Sequence, residues 1–288
     1  MFKLNRFNKF AAGIALLSVV AFASAAYANH SWGDYHWARS ANPLILKAGD
    51  NVSSVWDDYL NEAIGDWSLS SVLDLEKVDG GTNNSNGKYT PKNCVPTTGR
   101  LEVCNAKYGG TGWLGVARIW VSGGHIVQGT AKMNDSYFNT AKYDTPAWRR
   151  LVMCQEVAHD FGLDHQNEIF DNANLGSCMD YTNDPDGGPG GSVDDDPSNE
   201  HPNDHDFAQL EIIYAHFDSV ITAGQTFFGS SNRILGKGKG VNGEETAEWG
   251  KSIRSSSDGK PSLFENDLGK GNKVFTFVIW ADKDAAAE

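Results

Sequence analysis

The chain has 288 residues and a formal net charge of −13 at pH 7, from 24 Lys and Arg against 37 Asp and Glu. So acidic a chain argues against nucleic acid or an anionic membrane as the partner, because both carry negative charge themselves. The length is enough for one sizeable domain with an appendage.

The first residues are typical of a secretory signal peptide. Three basic residues precede the apolar run 11–26, and small residues follow at the positions that a signal peptidase reads. We expect cleavage before Asn29; an uncleaved anchor is the alternative, but the run is shorter than the roughly 20 residues that span a bilayer. Removing residues 1–28, with three positive and no negative charges, takes the net charge from −13 to −16. We therefore expect a secreted protein that is not bound to a membrane.

Local patterns predict the elements of the first half of the mature chain. Strands are predicted over residues 35–47, 71–78, 99–108, 115–121 and 125–133, and a helix over 52–69. A Ser-Gly-Gly turn at 122–124 joins the last two strands as a hairpin. Thr145 then precedes Pro146, as at the beginning of many helices, and this helix is predicted to extend to about Phe161.

The end of this helix carries a possible metal site. Residues 155–165 read Gln-Glu-Val-Ala-His-Asp-Phe-Gly-Leu-Asp-His. Gln155 and His159 stack on one helix face, so they could hold one metal ion with Glu156 beside it. Gly162 permits a sharp turn that can return His165 as a third ligand. Three protein ligands and one open position are what zinc hydrolases need.

This stretch resembles the metzincin signature H-E-x-x-H-x-x-G-x-x-H of zinc peptidases such as matrixins and astacins, with Gln155 in place of the first histidine. The family's second mark is a methionine turn beneath the metal. Residues 177–181, with Met179 at their centre, resemble it in content and in distance downstream.

The resemblance implies a role for each residue. Gln155, His159 and His165 would bind Zn²⁺. Glu156 would be the general acid/base that takes a proton from the activated water and delivers it to the leaving amine. Tyr181 would stabilise the oxyanion or reach the metal, with a core tyrosine as the alternative. The substrate would be a protein or peptide, and we expect a monomer.

Because Gln155 stands in place of a histidine ligand, three functions are compatible with the sequence. Its amide oxygen can coordinate zinc but is a weaker donor than imidazole. The site could work at low affinity, or be degenerate, with Asp160 or Asp164 as substitute ligands. A secreted zinc endopeptidase is favoured, because Glu156 is not needed for holding metal. The alternatives are an inactive peptide-binding protein and a structural metal protein without an open coordination position.

Four cysteines enter an oxidising compartment and can pair in three ways. We expect Cys94–Cys104, which closes a short loop. The resemblance places the start of the metal motif close to the methionine turn and therefore favours Cys154–Cys178 as the second bridge. Four free thiols are the alternative.

The element order is similar to that of metzincin catalytic domains, which implies an α+β fold with a mixed sheet backed by two helices. This domain would occupy residues 29–219 and end in a helix that begins at Asp204. Residues 112–121 would form the edge strand of the cleft, where an extended peptide adds a strand. Residues 220–288 would form a small β-rich extension with a buried strand at 274–280.

Two further expectations concern calcium and latency. The acidic stretch 183–206 offers Asp184, Asp186 and Asp194 to Asp196 as ligands for a structural Ca²⁺, with a solvated loop as the alternative. Residues 29–34 are too few for a pro-segment. Latency is therefore either absent or supplied by the C-terminal extension.

Overall fold

The computed structural model describes residues 30–81, 91–188, 196–225 and 246–282, together with Ala285. The predicted signal peptide lies outside these ranges. None of the helices within them is long and apolar enough to cross a membrane.

The described residues form an α+β structure, as predicted. The strands are β1 (His36–Trp37), β2 (Leu44–Asn51), β3 (Leu73–Asp79), β4 (Leu101–Ala106), β5 (Trp113–Ser122), β6 (His125–Asn134), β7 (Lys251–Ser255), β8 (Pro261–Gly269) and β9 (Asn272–Trp280). The α-helices are α1 (Asp57–Trp67), α2 (Asp135–Phe138), α3 (Pro146–His159) and α4 (Asp204–Ile213). A 3₁₀ helix covers Thr246–Trp249.

All nine strands belong to one mixed sheet. Its order is β3-β2-β4-β6-β5-β9-β8-β7, and β1 pairs with the beginning of β6. The neighbours from β3 to β6 are parallel, whereas those from β6 to β7 are antiparallel. The hairpin predicted between β5 and β6 is present, with Gly123 and Gly124 at positive φ.

The prediction that residues 112–121 form an edge strand is wrong. β5 pairs with β6 on one side and with β9 on the other. β9 is buried from Val274 to Ile279, and a strand that is apolar on both faces needs cover on both. The C-terminal strands therefore continue the sheet at the place where the cleft was expected.

The predicted first strand is also divided. β1 and β2 are separate, and the Asn42–Pro43 bond just before β2 is cis. Proline has no N–H to donate to a sheet ladder, and β2 begins at the residue after it.

Helix α3 follows its prediction closely. The Thr145 hydroxyl accepts the Trp148 backbone N–H and so caps the first turn, with Pro146 as the first helical residue. α3 packs on β5, β6 and α1. α4 begins with a capping box in which Asn203 and Asp206 bond reciprocally.

Both predicted disulfides are present. Cys94–Cys104 ties a loop to β4, and Cys154–Cys178 ties α3 to the turn that contains Met179. The second bridge fixes α3 against that turn.

Candidate metal centre

His159 and His165 bring their Nε2 atoms within 3.0 Å of each other, with the two rings nearly perpendicular. His159 ends α3, and the chain turns back at Gly162, whose φ of +108° is rarely adopted by other residues. A Cβ at this glycine would also lie 2.9 Å from the Tyr35 carbonyl oxygen. The predicted turn therefore joins the two histidines.

The outer nitrogen of each ring is bonded to oxygen. His159 Nδ1 lies 2.8 Å from the Leu163 carbonyl, which can only accept, so Nδ1 carries the proton. His165 Nδ1 lies 2.6 Å from Glu168 Oε1 and 3.2 Å from Arg254 Nη2, so it can donate to the carboxylate or accept from the guanidinium. With the His165 proton on Nδ1, both Nε2 lone pairs face each other, which suits two ligands of one metal ion.

Both histidines are neutral. Burial lowers the pKa of His159 well below its ordinary value, and the neighbouring His165 lowers it further. Burial and the Arg254 charge together lower the pKa of His165 to about 3. Neutral imidazole is the form that binds metal.

Gln155 lies one helical turn before His159 and is fully buried. Its Nε2 donates to the Cys178 carbonyl at 2.8 Å, beside the Cys154–Cys178 bridge. Its Oε1 has no hydrogen-bond partner among the described residues. A buried amide oxygen is costly without a partner, and a cation would satisfy it. Two imidazole nitrogens and an amide oxygen are donor types that a zinc ion accepts.

Glu156 points from α3 towards β5. A Cβ at Gly115 would lie 2.5 Å from Glu156 Oε1, so the glycine provides the space for this carboxylate. Neither carboxylate oxygen makes a well-formed hydrogen bond to a described residue. Burial and the charge of Asp160 raise the pKa of Glu156 well above its ordinary value, and the backbone of Ala117 offsets only part of this rise.

The two candidate substitute ligands have other contacts. Asp160 is buried against Gly129 of β6, where a Cβ would overlap its carboxylate. Asp164 accepts the backbone N–H of His165 at 2.7 Å and pairs with Arg254. Burial would raise the pKa of Asp164, but Arg254 outweighs it, so the pKa is lower than usual. Asp160 shares with Gln155 a buried oxygen that has no hydrogen-bond partner among the described residues, whereas Asp164 is engaged by Arg254.

Arg254 of β7 is a member of the site that the sequence analysis missed. It contacts Asp164 and lies 2.9 Å from Glu168 Oε1. With His165, these two carboxylates place three possible ligand atoms within 4.8 Å, and the guanidinium provides the positive charge there. Arg254 is 90 residues from Asp164, and no motif surrounds it, so no local signal marks it.

Tyr181 packs against His165, and the Met179 carbonyl accepts the backbone N–H of Gln166, the residue after His165. Met179 is fully buried, and its backbone N–H is fixed by Ser177 Oγ at 2.9 Å. The Tyr181 ring lies 4.4 Å from that of His165. Its hydroxyl, however, donates to the Val278 carbonyl of β9 at 3.0 Å.

β9 covers the histidine pair. The Phe277 ring stacks on His159 with centroids 4.0 Å apart and meets His165 edge-on at 5.8 Å. Phe277 is fully buried and lies opposite Ala117 of β5. A substrate could not reach the histidines while β9 is in this position.

The calcium prediction is not tested. Asp194 and Asp195 lie outside the described residues, and Asp196 Oδ2 accepts the Asn174 N–H at 2.9 Å. Within the described ranges, the groups of histidine and carboxylate that converge as metal ligands lie elsewhere. Calcium binding stays a prediction.

The chain matches none of the known protein-family models, and none of the curated proteins matches it in sequence.

Proposed function

We propose that the chain is a secreted zinc-dependent endopeptidase of metzincin-like fold, held inactive by its own C-terminal strands. The observation that carries this proposal is the approach of His159 Nε2 to His165 Nε2 at 3.0 Å, with each outer nitrogen bonded to oxygen. Zinc-binding histidines have this combination of inward lone pair and outward hydrogen bond. The unpartnered Gln155 oxygen supplies the third ligand from the preceding turn.

The surrounding residues support peptide hydrolysis. Zinc in this site would polarise the scissile carbonyl and acidify a water molecule. Glu156 takes a proton from the water and passes it to the leaving amine, a task suited to a carboxyl group of raised pKa. Tyr181 donates to the carbonyl oxygen of the substrate.

β9 lies where this proposal places the substrate. It runs antiparallel to β5, and its Val278 carbonyl receives the Tyr181 hydrogen bond that a substrate carbonyl would receive. Phe277 occupies the space next to His159. An extended substrate adds to β5 only after β9 has left.

The closed site favours one other function, a structural metal protein. Phe277 leaves no approach to His159, and Gln155 is bonded to the backbone of Cys178. An inactive peptide-binding protein has less support, because β5 is already paired on both sides.

The test measures bound metal and casein hydrolysis before and after proteolytic cleavage within residues 226–245, which contain Arg233, Lys237 and Lys239. We expect zinc in the intact chain, little activity before cleavage, and chelator-sensitive activity after it. A cleaved chain that retains zinc but has no activity supports the structural function. A chain that binds no zinc contradicts both.

A further inference from the structure

Three histidines and an aspartate converge at one end of the sheet. None of them belongs to the candidate metal centre of His159 and His165. We call them the three-histidine cluster: His36 in β1, His125 at the start of β6, and His216 and Asp218 after α4. Asp218 is 182 residues from His36 and 93 from His125. The sequence analysis singled out none of these residues, because the fold alone brings them together.

The imidazole nitrogens surround one carboxylate oxygen. Asp218 Oδ1 lies 3.2 Å from His125 Nε2, 3.4 Å from His36 Nε2 and 3.5 Å from His216 Nε2. Ligands that each lie 2.0–2.2 Å from a tetrahedral zinc ion are roughly 3.4 Å apart. Asp218 Oδ1 therefore lies at about this spacing from all three imidazoles, and the ligand atoms of His36, His216 and Asp218 also lie within 4.8 Å of one another.

The hydrogen bond on the outer side of His36 fixes its tautomer. His36 Nδ1 lies 2.8 Å from the Asp34 carbonyl oxygen, which can only accept, so Nδ1 carries the proton. In the neutral ring, Nε2 then presents a lone pair to the Asp218 carboxylate. Two acceptors facing each other at 3.4 Å need a proton or a metal cation between them. Histidine ligands of metals are held in this way.

Asp218 is held in place independently of the histidines. Its Oδ2 accepts the Arg39 backbone N–H at 3.0 Å, and its own N–H donates to the Arg39 carbonyl at 2.8 Å. The Arg39 side chain bonds to the Ala41 and Tyr214 carbonyls, so its charge is directed away from the cluster. The carboxylate is thus preorganised, with Oδ1 directed to the histidines.

The cluster has a buried side and an open side. The side chains of His36 and Asp218 are only 7% and 8% exposed, whereas that of His216 is 58% exposed. A metal ion can therefore enter from solvent past His216 and reach ligands that are already in position.

We propose that the three-histidine cluster binds a divalent transition-metal ion. His36, His216 and Asp218 supply two imidazoles and one carboxylate, a donor set that suits zinc, and His125 lies 3.2 Å from the same carboxylate oxygen. The ion would join β1 to the segment after α4. This site is independent of the proposed peptidase activity.

The test is a titration of chelator-treated full chain with Zn²⁺, followed by calorimetry and by elemental analysis. We expect two zinc ions per chain in the native protein and one in His216→Ala, a change at an exposed position. The affinity of the lost site should fall at least about tenfold. His201→Ala is the matched control, because His201 is 45% exposed, pairs with Asp66 and lies outside the cluster.

Comparison with His165→Ala separates the two sites. If the native chain binds one zinc ion that is lost in His216→Ala but not in His165→Ala, the cluster binds metal and the peptidase centre does not. The reverse pattern overturns the cluster proposal. Native affinity and stoichiometry in both His216→Ala and Asp218→Asn, or a native chain that binds no zinc, overturn it as well.

Discussion

The Phe277 ring of β9 lies flat against the His159 ring of α3, with centroids 4.0 Å apart and planes 10° apart. The same phenylalanine meets His165 edge-on. One side chain from the C-terminal part of the sheet thus covers both histidines that would bind zinc. A single substitution of Phe277 would remove this contact.

Phe277→Ala should open the site. Truncating a buried phenylalanine costs about 3–5 kcal/mol in the free energy of unfolding. In this variant the truncation weakens the contact between β9 and α3. We expect chelator-sensitive casein hydrolysis to rise at least about tenfold over the native chain, because a population with β9 displaced becomes accessible to substrate.

Phe264→Ala is the matched control for this variant. Phe264 is a similarly buried phenylalanine of β8, but it packs with Trp249 away from the histidines. An equal rise in activity in both variants would mean that general loosening opens the site, and Phe277 would have no special role.

Glu156→Gln should abolish activity while leaving the metal. Glutamine keeps the volume beside Gly115 but cannot accept the proton from water. After proteolytic cleavage, we expect casein turnover to fall by about two orders of magnitude or more, with zinc content unchanged. The exposed Glu76→Gln should retain native turnover. Loss of zinc in Glu156→Gln would identify Glu156 as a ligand.

The features that were predicted correctly from the sequence are those that depend on neighbouring residues or on a recognised motif. Thr145 and Pro146 specify the beginning of α3 through a cap and a fixed φ, and Gly162 specifies the turn after it. The Cys154–Cys178 bridge follows from the resemblance of the two motifs it joins.

The features that the sequence did not predict all depend on distant residues. The Val278 carbonyl, which accepts the Tyr181 hydrogen bond, is 97 residues from Tyr181 in the sequence. The composition of β9 does not indicate which strand it pairs with. Periodicity identifies a strand buried on both faces but not its neighbours. The error about the edge strand β5 and the omission of Arg254 have this common cause.

Lys132 gives the stability of the fold a dependence on pH. It is 4% exposed in β6, and burial, with the charge of Arg118, lowers its pKa to about 7. The unfolded chain has the ordinary value of 10.5. Between these values the unfolded state binds more protons, so the free energy of unfolding rises as the pH rises from about 7 to about 10.

Lys132→Met should therefore stabilise the protein by about 1–3 kcal/mol at pH 7 and by less at pH 9.5. Urea unfolding at the two pH values measures this difference. The control is Lys77→Met, a lysine of β3 whose side chain is 38% exposed and which should show no such change. The same pH dependence in native and Lys132→Met proteins would exclude Lys132 as its source.

Gln155 decides between a working metal centre and a degenerate one. Its Oε1 has no hydrogen-bond partner among the described residues and would bind the metal in the proposed site. Its Nε2 donates to the Cys178 carbonyl and so stabilises the fold. Gln155→Glu removes the N–H donor but keeps an oxygen at the same reach, whereas Gln155→Ala removes both. If the oxygen binds zinc, Gln155→Glu should retain the metal and Gln155→Ala should lose most of it.

Gln155→His should restore a three-histidine site and tighten zinc binding about tenfold, or about 1.4 kcal/mol, because imidazole is the better zinc donor. An anomalous-scattering map of native crystals at the zinc edge completes the series. A peak within about 2.2 Å of Gln155 Oε1, between the two histidine nitrogens, is the expected result. Equal zinc affinity in the native, alanine and histidine proteins would remove Gln155 from the ligand set, leaving His159 and His165 without their proposed third partner.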